Sequence, residues 1–120
     1  MAGETTITIV GNLTADPEVR VTGSGGTVAN FTIASTPRQY NRQSGQWEDG
    51  EALFLRCSVW DSQYTPLASN VQASLGKGMR VIARGNLAQH DWQDRDGNKR
   101  TGYEMHVSEI GPALSRARPR

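Results

Sequence analysis

Flat aromatic rings and guanidinium groups recur together at three places in this chain. Phe54, Arg56 and Trp60 fall at alternate positions of one β-prone stretch, Leu53–Asp61, and so share a face. Tyr40 and Trp47 lie in a polar stretch, 37–50, that also carries Arg38 and Arg42. Trp92 lies in a second polar stretch, 90–99, followed by Arg100. A ring in polar surroundings needs a partner other than the core. Unpaired nucleobases are such a partner, because every base presents a π-face and neighbouring arginines can meet the phosphates. The pattern therefore points to a single-stranded nucleic acid.

Each ring also has a structural explanation. Phe54 and Trp60 could plug the outer side of a strongly curved strand. Trp92 could fold down on its own hairpin, and Asp91, Asp94 and Asp96 beside it would repel phosphate, although Arg95, Lys99 and Arg100 offset them. The acidic run 48–51 counts against Trp47. Arg80 and Arg84 share the parity of the non-core face on a later strand. Three arginines facing a core would be costly, so Arg56, Arg80 and Arg84 are expected on the surface, with phosphate as ligand.

The elements that must position these residues follow from apolar periodicity. Strands are expected at Thr5–Val10, Thr27–Ser35, Leu53–Asp61, Met79–Ala88 and Thr101–Ile110, with Val19–Val21 as a short extension. The stretch 37–50 reads as a protruding hairpin or a flexible loop. In the third strand, Leu53, Leu55, Cys57 and Val59 form the core-facing set. Pro66–Leu75 is the one helix, with Leu67, Val71 and Leu75 in a single stripe. Thr65 or Ser62 is its expected cap and Gly76 its stop. Gly85 interrupts the fourth strand and marks a bulge or barrel corner. Five strands with one helix between the third and fourth match an all-β, five-stranded OB-fold, a Greek-key barrel. Residues 1–111 are the expected domain, and 112–120 a short, basic, flexible tail.

Composition narrows the classes further. The chain has 120 residues, 36% hydrophobic, with 13 Lys+Arg against 12 Asp+Glu and a formal net charge of +1. Any basic footprint must come from clustering. Eleven of the 13 basic residues are Arg. Cys57 is the only cysteine, which excludes an intrachain disulfide and argues for a buried, inert thiol. His90 and His106 form no metal-ligand spacing, no G-x-S-x-G elbow is present, and Gly23–Gly26 lacks the G-K-[ST] of a phosphate loop. No catalytic residue, metal or cofactor is expected, and the protein is expected not to be an enzyme. Lacking a signal peptide or long apolar span, it is expected to be cytoplasmic and nucleoid-associated, with no membrane partner.

Several stretches together carry a family resemblance. They are Ile9-Val10-Gly11-Asn12-Leu13 with Asp16-Pro17-Glu18, Val28-Ala29-Asn30-Phe31-Thr32-Ile33-Ala34, and Leu75-Gly76-Lys77-Gly78 with Val81, Gly85 and Leu87. To these is added Trp92-x-Asp94-x-x-Gly97. In these the chain resembles the OB domain of bacterial-type single-stranded DNA-binding proteins over about residues 5–110. The resemblance implies base stacking at Tyr40, Phe54, Trp60 and Trp92, and places Arg56 in the DNA path. Phe54 stands where the family commonly has Trp, and Trp60 where it commonly has Phe. It further implies a homotetramer that protects single-stranded DNA, without sequence preference, in replication, recombination and repair. Leu55 would lie in the core or at a subunit interface. Housekeeping members end in an acidic tip that recruits partner enzymes. This chain ends Ser115-Arg-Ala-Arg-Pro-Arg120, so such recruitment is not expected of it. Two alternatives stand beside this expectation: an RNA-binding or replication-restart accessory OB protein, and an OB domain whose exposed aromatics dock protein.

Overall fold

Alternating apolar residues at Ile9, Ala29, Phe31, Ile33, Leu55, Cys57, Val59, Val81, Ala83, Met105 and Val107 need a common interior, and a sheet can supply one by closing on itself. The computed structural model, which describes residues 3–115, shows that closure. The strands are β1 (Thr6–Leu13), β2 (Glu18–Val21), β3 (Thr27–Ser35), β4 (Arg38–Asn41), β5 (Gln46–Asp49), β6 (Leu53–Trp60), β7 (Arg80–Gln93) and β8 (Lys99–Pro112). One helix, α1 (Leu67–Ser74), lies between β6 and β7. Pairing runs β1–β7–β8–β6–β3 and returns to β1 through Asn12↔Ala34 and Leu13↔Ile33. Among the described residues only β6–β8 is parallel. This is the all-β OB-fold, its five-stranded ring extended by β2 along β3 and by a separate β4–β5 hairpin.

Two glycines make the closure possible. Gly11 pairs with Val81 of β7 just before Asn12, which pairs with both β7 and β3, and a Cβ at Gly11 would stand 2.7 Å from Ile33 Cγ2 and closer still to the Ala34 carbonyl oxygen. At Gly85, the β7–β8 register shifts between Arg84 and Gly85, as the interruption in the sequence suggested. A Cβ there would overlap the His106 backbone. The barrel interior holds the alternating set with Leu13, and α1 plugs one end with Ala68 and Val71, followed by Leu75.

Several details differ from the sequence reading. Leu53 is not in the core; it is 55% exposed, because it starts β6 beside Ser35, where β3 is leaving the barrel. Val28 and Ser58 have outward parity yet are buried. Val28 stands opposite Trp60 in register, and the Ser58 hydroxyl lies 3.1 Å from His106 Nδ1. The helix is capped by neither Thr65 nor Ser62. Asp61 does so instead, accepting from Ser69 N (3.0 Å) and Ser69 Oγ (2.7 Å). Ser62 organises the loop before the helix, its Oγ accepting from the backbone of Tyr64 and Thr65. Strands β7 and β8 run into the polar stretch 90–99 from both sides, which leaves only 94–98 as the turn between them. Ordered structure also enters the segment expected to be tail: Pro112 ends β8, and buried Ala113 donates its N–H to the Arg80 carbonyl. Residues 116–120 of that segment lie outside the described residues.

Candidate nucleic-acid interface

Register places the outward residues of β6 in one field with those of its neighbours. Phe54, Arg56, Ser58 and Trp60 stand opposite Ala34, Thr32, Asn30 and Val28 of β3. Glu18 and Arg20 of β2 extend the field beyond Asn30 and Val28. On the other side Arg56 pairs with Glu104 and Ser58 with His106 of β8, while Glu104 pairs with Ala88 of β7. Two residues further along β7 comes His90, and two further Trp92, on the same face. The result is a shallow groove that includes a depression of about 470 Å³ lined by Glu18, Val19, Arg20, Asn30, Arg56, His90 and Glu104. A smaller neighbouring depression shares Glu18, Asn30, Arg56 and Glu104 with it.

Phe54, Trp60 and Trp92 lie on the same face, outside the residues that line these depressions. Phe54 and Trp60, at the two ends of β6, are 64% and 47% exposed. Trp92, 45% exposed, leans across the β7–β8 ribbon and stacks with His90, the ring centroids 5.7 Å apart at an interplanar angle of 18°. It therefore folds partly onto its own hairpin and still keeps nearly half its surface open. Tyr40 and Trp47 lie on the separate β4–β5 hairpin, both exposed, as an edge-to-face pair at 5.5 Å.

The arginines divide into groups. Arg56 is exposed in the groove and makes no ion pair among the described residues. Arg38 is bonded to Asp49 at 2.6 Å across its hairpin, and Arg100 Nε to Asp94 at 2.9 Å. Asp94 also accepts from the Asn98 and Asp96 N–H groups. The Arg100 bond, helped by these, holds its carboxyl below the ordinary range. Arg84 is exposed beside Ile82 and Glu109, away from the groove lining. Arg80 departs from the surface expectation. It is half-buried where β1 and the end of β8 flank β7, and its Nε is buried without a hydrogen-bond partner among the described residues.

Of the residues lining the larger depression, sequence reasoning had singled out only Arg56; it missed Glu18, Val19, Arg20, Asn30, His90 and Glu104. Alternation on β3 gave Asn30 the right face, but only the β2–β3 and β7–β8 registers bring Arg20 and His90 to it. Exposed Tyr64, in the loop after β6, had no periodicity to mark it. Cys57 is buried beneath the groove as expected. Burial, and secondarily the Glu104 charge, pushes its thiol up to about 12. Among the described residues no three His, Cys, Asp or Glu side chains gather as a metal site, and no helix is long and apolar enough to cross a membrane.

The model of the single-strand binding protein family matches residues 4–113. A single-stranded DNA-binding protein of Mycolicibacterium smegmatis is 60% identical over 114 residues, covering 95% of this chain and 67% of its own length. One from Bifidobacterium longum is 63% identical over 114 residues, covering 95% of this chain and 50% of its own. This chain thus spans between half and about two thirds of those relatives. The crystal structure of a small single-stranded DNA-binding protein from Streptomyces coelicolor aligns with a TM-score of 0.80 at 31% identity, over 98% of this chain and 100% of that one.

Proposed function

The chain belongs to the single-strand binding protein family, and from that premise we propose that it binds single-stranded DNA without strong sequence preference. The observation that carries the proposal is the shared face of Phe54, Arg56, Trp60, His90 and Trp92 around one groove. Bases stack on Phe54, Trp60 and Trp92, with Tyr40 and Trp47 as outlying platforms on their hairpin. Phosphates meet Arg56 first. Arg38 and Arg100 join by exchanging a carboxylate for a phosphate, and Arg80 and Arg84 serve strands that continue around the barrel. The binding unit is residues 1–111 with the last rungs of β8. The protein sequesters exposed strands during replication, recombination and repair, in the cytoplasm at the nucleoid. No step of catalysis is involved.

We propose further that it acts as a homotetramer. Residues 6–11 of β1 pair with β7 on one side, while pairing with β3 begins only at Asn12. That leaves a strand edge able to pair with a second copy. Exposed Ile82, on the outer face of the same β1–β7–β8 surface, adds apolar area for a further contact.

The test is a tryptophan-fluorescence titration with oligo-dT at low and high salt, with solution mass measured on the same sample. Strong quenching, affinity that falls with salt and a tetrameric mass are expected. Absence of binding at low salt would overturn the reading and favour a protein-docking OB domain. Equal affinity for oligo-U would favour the RNA-binding alternative.

A further inference from the structure

Trp60 and Trp92 each lie across a glycine of another segment. A Cβ built on Gly102, which stands opposite His90 on β8, would meet Trp92 Cζ3 at 3.1 Å and Cη2 at 3.3 Å, and nothing else within 4 Å. A Cβ built on Gly26, just before β3, would meet Trp60 Cζ3 at 3.0 Å and Cε3 at 3.4 Å, with Thr22 Oγ1 at 3.3 Å. Neither glycine has a positive φ, so neither is there for its backbone. At Gly102 the indole takes the space a side chain would fill, and at Gly26 the indole shares it with the Thr22 hydroxyl.

From this we infer that Gly102 is a positioning residue for base stacking by Trp92; the seating of Trp60 on Gly26 has the same form. Each lets an indole settle against the backbone, so that one side of the ring is fixed by the protein and the remainder is offered to solvent. A ring free to rotate would lose side-chain entropy on every binding event, whereas a seated ring has lost it already. The remaining exposure of 45% and 47% fits rings covered on one side. Aromatic cover of a strand glycine also stabilises sheets in its own right, and the two roles predict different things for a methyl group. At an extended position that tolerates it, Gly→Ala by itself stabilises the fold by restricting the unfolded chain. A methyl at position 102 also lifts Trp92, because contacts of 3.1 Å force the ring to give by a few tenths of an ångström. The positioning role therefore predicts that stability and affinity part company.

The inference rests on the proposed stacking role of Trp92, and the test keeps the two separable. Oligo-dT affinity, thermal stability and the indole Nε1–H NMR cross-peaks are compared for the wild type, Gly102→Ala, Gly102→Val, Trp92→Ala and the double variant Gly102→Val/Trp92→Ala. Gly102→Ala should weaken binding about 2- to 5-fold with an unchanged or higher melting midpoint. Gly102→Val should weaken it about 10-fold and move only the cross-peak that Trp92→Ala deletes. In the Trp92→Ala background, Gly102→Val should have no further effect on affinity. An equal loss with and without Trp92, or unchanged affinity in Gly102→Val, would overturn the inference while leaving DNA binding intact. If Trp92→Ala binds as the wild type does, the stacking role and this inference fall together. A wild type that binds no oligonucleotide sinks the functional reading as well.

Discussion

Phe54 and Arg56 are next-but-one neighbours on one face of β6, and they should fail in different ways when removed. Phe54 is 64% exposed, so about a third of a ring residue of roughly 200 Å² is covered by protein. At about 25 cal/mol per Å² that cover is worth at most ~2 kcal/mol to folding, and less once the methyl kept by Phe54→Ala and a compact unfolded chain are allowed for. Loss of one stacked base costs about 1–3 kcal/mol, or roughly 5- to 150-fold in affinity. The ring carries no charge, so the loss should be the same at every salt concentration. Arg56→Ala should instead flatten the plot of log affinity against log salt by about 0.7, the contribution of one phosphate on a single strand. Anisotropy of a labelled oligo-dT, titrated at four salt concentrations, reads both quantities, and urea unfolding supplies the stability term. Equal affinity for the Phe54→Ala variant and the wild type across the series would refute stacking on β6. A slope change in Phe54→Ala, or none in Arg56→Ala, would refute the division of labour between ring and guanidinium.

The Cys57 thiol, pushed up to about 12 from an ordinary 9.0, should resist iodoacetamide in the native protein at pH 8 and react fully in denaturant. The folded state holds that proton more tightly, so the contribution is complete below about pH 9 and is lost as pH rises toward 12; alkaline unfolding of Cys57→Ala should lack that component. Asp61 behaves in the opposite sense: the Ser69 hydroxyl, then the Ser69 N–H, hold its carboxyl below the ordinary 3.8. Its support for α1 is present above that value and is lost as pH falls through the folded one, so Asp61→Asn should weaken the helical CD signal at pH 7 and shrink its change on acidification. Gly85→Ala drives a Cβ into the His106 backbone and should cost roughly 1–3 kcal/mol in urea unfolding, whereas Gly111→Ala, with open space around it, should be neutral or stabilising. Asp49→Asn releases Arg38 from its 2.6 Å partner and should raise oligo-dT affinity severalfold at low salt, with the gain vanishing at high salt.

What could be read in the sequence was whatever depends on parity along a single strand. Alternation separated Phe54, Arg56 and Trp60 from Leu55, Cys57 and Val59, and the structure keeps that separation. Gly85 broke a β-prone run, and the ladder shifts there. Three things were not legible. Strand ends depend on pairing partners, so the ribbon formed by β7 and β8 outran its apolar pattern, and Leu53 fell outside a barrel whose rim no local signal marks. Helix capping by Asp61 depends on how β6 delivers the chain to α1. Membership of the groove depends on register between strands far apart in sequence, as with Arg20, which stands opposite Val28, and His90, which stands opposite Gly102.

A net charge of +1 is small for a polyanion-binding protein, and the larger depression is itself balanced, Arg20 and Arg56 against Glu18 and Glu104. Two of the arginines nearest the rings are already held by carboxylates, Arg38 by Asp49 and Arg100 by Asp94. Such exposed pairs contribute little to folding, but they hold guanidinium groups in fixed positions beside Trp47 and Trp92 without leaving a strongly positive surface. A phosphate can replace the carboxylate at modest cost, and it brings the entropy of released counterions, which the intramolecular pair cannot supply. Arg56 needs no such exchange. On the proposed reading, stacking carries the sequence-independent part of the affinity, while Arg56 and the two paired arginines together set how steeply that affinity falls with salt. On this arrangement neutral substitutions at Asp49 and Asp94 should alter salt dependence more than affinity at high salt, while substitutions of the rings should do the reverse.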